Sequence, residues 1–277
     1  MKLIRFGQSG QERPGVLDAQ GAIRDLTGIV DDIAGAVLLP EGLARLAALD
    51  LDQLPKVAAG TRLGACVGRV GKLIGIGLNY SDHAAEVGKK PPAAPEFFLK
   101  ATSSIAGPTD QIAIPAGSEH TDWEAEFGVV IGKPGYCIAE ADVFDHIAGY
   151  CTAGDISERK LQAEKGFSQG KSFDTFGPLG PWLVTQDEIE DPYVLSVSCS
   201  VDGHRYQNGN TSDLIFKLPA SIATISQYFT LQTGDVIITG TPAGVGKGQK
   251  PSPIYLRRGQ KVRIEIGRLG VQEHEVV

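Results

Sequence analysis

Three acidic residues, Glu124, Glu126 and Asp155, stand at the boundaries of apolar segments and could together hold a metal ion. Glu124 and Glu126 are two residues apart, so on an extended strand their side chains leave the same face. The apolar run 127–132 follows this pair, and Asp155 follows the apolar run 147–154. Neighbouring carboxylates repel one another, and no matching cluster of Lys or Arg accompanies them. These acids therefore predict a site for a hard divalent cation with oxygen ligands.

A histidine and a glutamate could form a second reactive group. His83 and Glu86 are at i, i+3 in a predicted helix, Ser81–Val87, so their side chains can meet on one face. Ser81 is expected to be its N-cap, and Gly88 is expected to end it. A carboxylate beside an imidazole fixes its tautomer, which makes a general base able to activate water. A surface His–Glu pair without a catalytic role is the alternative.

Other polar residues could bind a substrate. Lys100 ends an apolar strand, and Lys171 lies between apolar groups. Each lysine could pair with a carboxylate, but two lysines near an acidic cluster would suit an anionic substrate or an enolate. Arg159 and Gln162 are at i, i+3 in a predicted helix, Glu158–Lys165, and could both reach toward the metal ion.

Two glycine-containing segments match the patterns of known functional sites, one for binding an anion and one for a catalytic serine. The segment 239–246, TGTPAGVG, follows a predicted strand and is either a nest of N–H groups for a carboxylate or phosphate, or a plain turn. It includes Thr241 and does not match a P-loop. The segment 166–170 matches the G-x-S-x-G pattern of serine hydrolases around Ser168, but a charged predicted helix precedes it where that motif requires a buried strand.

Size and composition exclude several functional classes. The chain has 277 residues and a net charge of −7, and no Lys/Arg-rich run suggests a nucleic-acid partner. No apolar stretch is long enough to span a bilayer, and the first residues do not resemble a signal peptide. Four scattered cysteines without a C-x-x-C motif indicate reduced core residues. We expect a cytoplasmic protein without a membrane or nucleic-acid partner.

The arrangement of predicted elements indicates an α+β fold. Residues 1–70 are expected to form a small N-terminal α/β domain, with a strand at Lys2–Phe6, a hairpin after it and a helix over residues 43–49. Residues 71–277 are expected to form a β-rich catalytic domain, because Gly and Pro separate many short strands. Predicted strands are 73–77, 97–100, 124–131, 195–201, 235–239 and 261–266. The remaining predicted helices are 142–147 and 218–228.

The motifs occur in an order that resembles the fumarylacetoacetate hydrolase superfamily over residues 72–277. The ordered set comprises Asn79-Tyr80 with His83 and Glu86, the strand ending at Lys100, the pair Glu124 and Glu126, Asp155, the segment 171–173 and the segment 239–246. The resemblance implies a mixed β-sandwich roll with a small N-terminal domain. It also implies a homodimer and one Mg²⁺ or Mn²⁺ per subunit.

The resemblance also implies a role for each candidate residue. Glu124, Glu126 and Asp155 would be the metal ligands, and His83 with Glu86 would be the water-activating pair on a lid segment. Lys171 would stabilise an enolate oxygen. The residues lining the substrate site would be Lys100, Gln162 and Thr241, with Arg159 as a neighbour.

One departure from the family bears on the substrate. Many relatives have Ala-Arg-Asp where this chain has Glu158-Arg159-Lys160. Together with the segment 174–182, this departure resembles the subgroup named ureidoglycolate lyase-like or 2,4-diketo-3-deoxy-sugar-acid hydrolase.

The predicted activity is hydrolysis of a carbon–carbon bond in a 2,4-diketo acid, acylpyruvate-like or sugar-derived, that releases pyruvate and a second acid. A small-molecule keto acid is thus the expected partner. The alternatives are a decarboxylase or isomerase of a 2-oxo or 2-hydroxydienoic diacid, and a ureidoglycolate lyase. A metal-binding scaffold without catalytic activity is a further alternative, although it would not require the His–Glu pair or the two lysines.

Overall fold

Strands provide most of the regular structure, and the computed structural model describes all 277 residues. Numbered in chain order, the strands are β1 (Lys2–Phe6), β2 (Arg13–Leu17), β3 (Ile23–Asp25), β4 (Leu73–Gly77), β5 (Glu96–Lys100), β6 (Ile105–Ala106), β7 (Thr121–Asp122), β8 (Ala125–Ile131), β9 (Ile147–Gly154), β10 (Ser157–Glu158), β11 (Gly177–Pro178), β12 (Leu183–Thr185), β13 (Ser196–Val201), β14 (His204–Asn210), β15 (Val236–Ile238), β16 (Lys261–Ile266) and β17 (Gly270–Glu275). The α-helices are α1 (Pro40–Ala47), α2 (Ser81–Glu86), α3 (Arg159–Lys165), α4 (Phe167–Lys171) and α5 (Leu218–Ser226). Short 3-10 helices cover Gly35–Leu38, Leu51–Gln53, Thr102–Ser104, Glu140–His146, Gln186–Glu188, Thr211–Asp213 and Gly246–Gly248.

A nine-stranded sheet forms the centre of the molecule, in the order β3-β2-β1-β12-β9-β8-β15-β4-β5. All neighbours in it are antiparallel except β15 and β4, which run parallel. Strands β8 and β9 are buried along their whole length. Such continuous burial is possible because both strands are almost wholly apolar and both faces of the sheet are covered there. The α+β fold class is therefore confirmed.

The pairing of β8 with β9 brings the acidic residues to one place. Ala125 lies opposite Gly154, and Glu126 lies opposite Ala153. Asp155 follows β9 directly, and its backbone N–H donates to the carbonyl of Glu124 at 3.0 Å. The first residues of β8 therefore lie beside the last residues of β9, which places Glu124, Glu126 and Asp155 close together.

A second, four-stranded antiparallel sheet, in the order β14-β13-β16-β17, packs on β8 and β9. The interface belongs to a core cluster of 35 buried residues that includes Phe127, Val197 and Ile264. Gly154 permits a close approach here, because a Cβ at this position would lie 2.8 Å from Pro178 Cγ and 3.1 Å from Ile264 Cδ1. The result is a sandwich of two sheets.

The N-terminal segment extends the central sheet. Strand β1 pairs with β12, and the hairpin of β2 and β3 continues outward from β1. A second core cluster, of 19 buried residues, joins this segment to the sheet and includes Leu3, Leu38, Val130 and Ala148. The boundary between domains 1–70 and 71–277 stays a prediction.

The elements differ from the predictions in a few places. Ser81 is not the N-cap of α2: the helix begins at Ser81, Tyr80 is the cap residue, and no side chain caps it. The carboxylate of Asp82 instead accepts from the backbone N–H of His83 at 2.7 Å. The predicted helix 142–147 is a 3-10 helix, and β14 and β17 were not predicted because their sequences are largely polar. None of the helices is long and apolar enough to cross a membrane.

Candidate active site

The carboxylates of Glu124, Glu126 and Asp155 converge where β8 begins and β9 ends. One oxygen atom from each lies within 4.8 Å of those from the other two. The three residues are 3%, 2% and 0% exposed, respectively. Oxygen ligands lie about 2.0–2.6 Å from a magnesium or calcium ion, so ligands on opposite sides of one ion are roughly 4–5 Å apart. The spacing of the three carboxylates therefore suits a single cation.

The expectation that no matching cluster of Lys or Arg accompanies these acids is wrong, and both lysines pair with carboxylates, which was the alternative considered for them. Lys171 Nζ donates to Glu124 Oε2 at 2.7 Å and also donates to Asp155. Lys100 Nζ donates to Asp155, and Arg159 Nη1 lies 2.6 Å from Glu124 Oε1. The two lysines lie 16 to 55 residues from their partners, so the local sequence around the acids does not reveal them.

These ion pairs shift the pKa values of their members in different directions. Burial alone would raise the pKa of Glu124, but the charges of Arg159 and Lys171 outweigh it and hold the pKa below the ordinary value. Burial would likewise lower the pKa of Lys171, yet the charges of Asp155 and Glu124 raise it. For Lys100, burial prevails over the attraction of Asp155 and lowers the pKa.

Glu126 differs from the other two acids because no cationic side chain pairs with it. Its Oε2 accepts a hydrogen bond from the backbone N–H of Gly240 at 2.8 Å. Burial, followed by the negative charges of Asp155 and Glu124, raises the pKa of Glu126 well above the ordinary carboxyl value. A buried carboxylate of this kind is costly unless a positive charge reaches it.

A divalent metal ion fits this set of residues. All three donors are hard oxygen ligands of the type that Mg²⁺ and Mn²⁺ prefer, and the ion would supply the positive charge that Glu126 lacks. All four oxygen atoms of Glu124 and Asp155 already contact Lys100, Arg159 or Lys171, so a metal ion would bind through the remaining lone pairs of these oxygen atoms.

The predicted His–Glu pair is formed in α2. Nδ1 of His83 lies 2.9 Å from Oε2 of Glu86, and His83 is 8% exposed. With Glu86 ionised, Nδ1 carries the ring proton, which leaves Nε2 as the basic atom of the imidazole. The second oxygen of Glu86 accepts from the backbone N–H of Gly244 at 2.8 Å. The glutamate is thus fixed on both sides.

The glycine-rich loop, residues 239–248, uses its N–H groups to bind carboxylates of the protein itself. The hydrogen bonds run from Gly240 to Glu126, from Gly244 to Glu86, and from both Gly246 and Lys247 to Asp122. The expectation of a nest for carboxylates is therefore met by internal partners. This loop connects the predicted metal site with α2.

Asp122 is a site residue that the sequence did not reveal as one. It is completely buried and accepts from the N–H groups of Gly246 and Lys247 at 2.7 and 2.9 Å. Its Oδ2 also accepts from Arg159 Nε at 2.7 Å. Its partners lie 37 and more than 120 residues away, so no local pattern indicates the interaction.

A small cavity joins the acidic cluster to α2. Its wall includes His83, Glu124, Glu126 and Lys171, and its volume is about 90 Å³. This volume corresponds to about three water molecules, whereas ligand pockets usually measure about 300 Å³ or more. The cavity is therefore smaller than a typical ligand pocket.

Two of the residues predicted to bind the substrate, Gln162 and Arg159, lie on the cavity wall. Gln162 accepts from Arg159 Nη1 at 3.1 Å. Lys100 is placed differently, because its side chain is 0% exposed and lies against Asp155 and the carbonyl of Phe176. Its position favours a role in orienting Asp155 over direct contact with a substrate.

Thr241 lines the cavity, but its hydroxyl group is already engaged. It donates to the carbonyl of Ala125 at 2.8 Å and accepts from Gln207 Nε2 at 2.7 Å. Gln207 is fully buried and also accepts from the N–H of Ala125 at 2.9 Å. Gln207 thus links the strand of the ligands to the glycine-rich loop, a link that no sequence motif indicates. The roles of Thr241 and of the other candidate residues stay predictions.

Ser168 has none of the surroundings of a catalytic serine. It is exposed, it lies in α4, and α3 rather than a buried strand precedes it. The G-x-S-x-G match at residues 166–170 is therefore coincidental.

Comparison with known proteins identifies a matching family model and similar sequences. The family model described as fumarylacetoacetate (FAA) hydrolase C-terminal matches residues 72–277. A protein from Burkholderia multivorans whose name reads "Putative hydrolase" is 59% identical over 274 residues, which cover 98% of this chain and 97% of that protein.

Solved structures of similar proteins cover the whole chain. Fumarylacetoacetate hydrolase from Exiguobacterium antarcticum has a TM-score of 0.87 and 35% identity, with coverage of 100% of this chain and 99% of the other. Maleylpyruvate hydrolase from Sphingobium sp. SYK-6, solved with manganese(II) and pyruvate, has a TM-score of 0.81, 32% identity and the same coverage. The 2-hydroxyhepta-2,4-diene-1,7-dioate isomerase from Mycobacterium marinum has a TM-score of 0.75 and 30% identity, with coverage of 100% and 98%.

Proposed function

The chain belongs to the fumarylacetoacetate hydrolase family, and from that premise we propose that it is a metal-dependent hydrolase that cleaves a carbon–carbon bond of a 2,4-diketo acid. The products would be pyruvate and a second carboxylic acid. One observation carries this proposal: His83, held by Glu86, lines the same small cavity as the carboxylates of Glu124 and Glu126. A base for water and a site for a metal ion thus face a common space.

We propose Mg²⁺ or Mn²⁺ as the cofactor, held by Glu124, Glu126 and Asp155. When bound, such an ion would polarise the oxygen atoms of the 2-oxo acid and stabilise negative charge that develops on them. The similarity to a hydrolase solved with manganese(II) and pyruvate supports this assignment.

The protein's own residues would move the protons. Nε2 of His83 takes a proton from water, whose oxygen adds to the C4 carbonyl of the substrate. The C3–C4 bond then breaks, and its electron pair forms the enolate of pyruvate. The imidazolium of His83 returns its proton to C3, and the second product leaves as a carboxylic acid that ionises. Glu86 keeps Nδ1 protonated throughout by accepting its hydrogen bond.

Lys171 would stabilise the developing enolate. Its Nζ lies between Glu124 and Asp155, and the attraction of these carboxylates keeps it protonated, as the raised pKa indicates. A fixed ammonium group in a site with little water stabilises an oxyanion strongly, because it needs no reorganisation when the charge appears. Arg159 and Gln162, on the same wall, would orient the substrate.

An isomerase is the second candidate, since an enolate that is reprotonated elsewhere needs the same metal site, and a structural neighbour is named as an isomerase. The His83–Glu86 pair favours hydrolysis, because isomerisation does not consume water. The products distinguish the two: a hydrolase releases pyruvate and a second acid in equal amounts, and an isomerase releases neither.

The test is to incubate the metal-loaded protein with acetylpyruvate and with sugar-derived 2,4-diketo acids and to measure pyruvate and the second acid. We expect release of both, its loss in EDTA and its recovery when Mg²⁺ or Mn²⁺ is added back. The variant Ser168→Ala is a matched control that should keep full activity. Absence of pyruvate from the whole panel, or full activity in EDTA, would refute the proposal.

A further inference from the structure

Two phenylalanine rings beside the acidic cluster have no role in the proposed mechanism. The rings of Phe98 and Phe167 stack on each other, with their centroids 5.1 Å apart and their planes inclined by 17°. Both side chains are half-buried and line the cavity that also holds His83 and Lys171. The pair therefore gives this cavity an apolar side.

The ammonium group of Lys171 lies against both rings. Its Nζ is 5.1 Å from the ring centroid of Phe98 and 6.0 Å from that of Phe167. A cation within about 6 Å of an aromatic centroid is attracted by the negative face of the ring. The same ammonium group donates to Glu124 and Asp155, which leaves one of its N–H groups without a hydrogen-bond acceptor in the protein. Lys171 is thus held by carboxylates and by aromatic faces, and it keeps one free donor.

Local backbone geometry places each ring beside a lysine. Phe167 and Lys171 are at i, i+4 in α4, so their side chains lie on one face of the helix. Phe98 precedes Lys100 by two residues in β5, so these two side chains leave the same face of the strand. The stack of Phe98 on Phe167 therefore connects the helix that carries Lys171 with the strand that carries Lys100.

A glycine provides the room for the ring of Phe98. Gly75 of β4 is paired with Phe98 of β5. A Cβ at Gly75 would lie 2.2 Å from Cζ of Phe98, so the ring extends across the glycine and a larger residue there would displace it. The ring of Phe98 is thus confined by the backbone of the central sheet and by the ring of Phe167.

The metal ion proposed for this site would also act on Lys171. Glu124 and Asp155, two of its proposed ligands, are the two carboxylates that accept from Lys171. A divalent cation and an ammonium group that share two carboxylates repel each other. The attraction of the ammonium group to Phe98 and Phe167 does not depend on these carboxylates, so it would keep the group in place beside the ion.

We propose that Phe98 and Phe167 are positioning residues that hold the ammonium group of Lys171 where it can donate to the enolate oxygen of the substrate. This inference rests on the proposed function, in which Lys171 stabilises that oxygen. The rings also keep water away from one side of the ammonium group, and a donor with fewer competing water molecules stabilises an oxyanion more strongly. The pair would thus lower the free energy of the enolate more than that of the bound keto acid.

Binding of two small anions tests this role without turnover. Oxalate resembles the enolate of pyruvate, because oxygen atoms on both of its carbons carry negative charge, whereas pyruvate has a neutral carbonyl oxygen at the second carbon. Calorimetry with the magnesium-loaded protein would give the ratio of the two affinities. We expect the ratio to favour oxalate and to fall about 5-fold in Phe98→Leu and in Phe167→Leu, as the loss of one cation–π interaction predicts. Magnesium affinity should not fall, because neither ring supplies a ligand atom.

Matched substitutions separate the effect of the aromatic face from that of packing. Phe97 precedes Phe98 in β5 and is also half-buried, but its ring packs edge-on against Tyr228 and Phe229, with centroids 5.2 and 5.7 Å away. Phe97→Leu should therefore leave the affinity ratio unchanged. Phe167→Tyr keeps the aromatic face and should retain the ratio that Phe167→Leu loses. An equal fall in Phe97→Leu or in Phe167→Tyr would overturn the inference.

Turnover separates this inference from the proposed function. In Phe98→Leu and Phe167→Leu, kcat for pyruvate release should fall about 5-fold with KM little changed, because the rings act on the enolate and not on the bound keto acid. Pyruvate release with an unchanged kcat and an unchanged affinity ratio in both variants would overturn the role of the rings and leave the hydrolase intact. A reduced ratio in a protein that releases no pyruvate from any 2,4-diketo acid would refute the hydrolase and leave the role of the rings intact.

Discussion

Glu86 lies 2.9 Å from Nδ1 of His83 through one carboxylate oxygen, and its other oxygen accepts from the backbone of Gly244. The partner that orients the histidine is therefore itself oriented by a loop more than 150 residues away in sequence. That loop also binds Glu126 through Gly240. The proposed base and the proposed metal site consequently share one structural support.

The variant His83→Ala should strongly reduce hydrolysis and leave metal binding nearly intact, because the imidazole hydrogen-bonds to Glu86 and to none of the three acids. Loss of a general base typically reduces turnover by about 10²–10⁴-fold. Pyruvate release and calorimetric titration with Mg²⁺, performed on the same preparation, would measure both properties. Full turnover in His83→Ala would eliminate the proposed base.

Gly248→Ala should disturb Glu86 without disturbing the fold. A Cβ at Gly248 would overlap the side chain of Glu86, because it would lie within 2.5 Å of the carboxyl group and of Cγ. The flexible Glu86 side chain can adopt another rotamer to relieve this overlap. Displacement of a catalytic group by about 1 Å can reduce turnover by about 100-fold. We expect lower kcat with an unchanged melting temperature and metal affinity. The exposed neighbour Lys250→Ala is the control, and unaltered kcat in Gly248→Ala would contradict the role of Glu86.

Glu126→Gln and Glu124→Gln should both weaken metal binding, but only Glu124→Gln should destabilise the metal-free protein. Glu124 pairs with two buried cations, so its loss leaves them without a partner and should cost about 3–5 kcal/mol of unfolding free energy. Glu126 has no such partner, so the amide should not destabilise the metal-free protein. Urea denaturation in EDTA would compare the two variants.

The same denaturation with Mg²⁺ tests ligation directly. A ligand at 100 times its Kd stabilises the folded state by about 2.7 kcal/mol, and both variants should lose this gain. Undiminished stabilisation of Glu126→Gln by Mg²⁺ would show that Glu126 is not a ligand.

Asp122→Asn should destabilise the protein by about 3 kcal/mol and raise KM, although Asp122 is not proposed to touch the substrate. The amide would leave the buried Arg159 with less compensating charge and would present an N–H group to backbone donors. Thermal unfolding and steady-state kinetics would measure the two effects. A variant with normal stability and normal KM would show that Asp122 does not position Arg159.

The class of the fold and a set of candidate reactive residues could be predicted from the sequence. The spacing of Glu124 and Glu126 before an apolar run, and of His83 and Glu86 on a short helix, reflects local periodicity, which depends on backbone geometry alone. The strands β4, β5 and β16 were predicted within one residue for the same reason. Strands β14 and β17 were not, because their outer faces are exposed and their sequences largely polar.

The sequence by itself thus determined which side chains could react and roughly on which elements they lie. Only the tertiary structure decided their partners: Lys171 bridges Glu124 and Asp155, Asp122 binds Arg159, and the glycine-rich loop binds internal carboxylates. The physical reason is that backbone periodicity acts over a few residues, whereas ion pairs and buried hydrogen bonds form between whatever groups packing brings together. Glu86 and Gly244, for example, lie 158 residues apart.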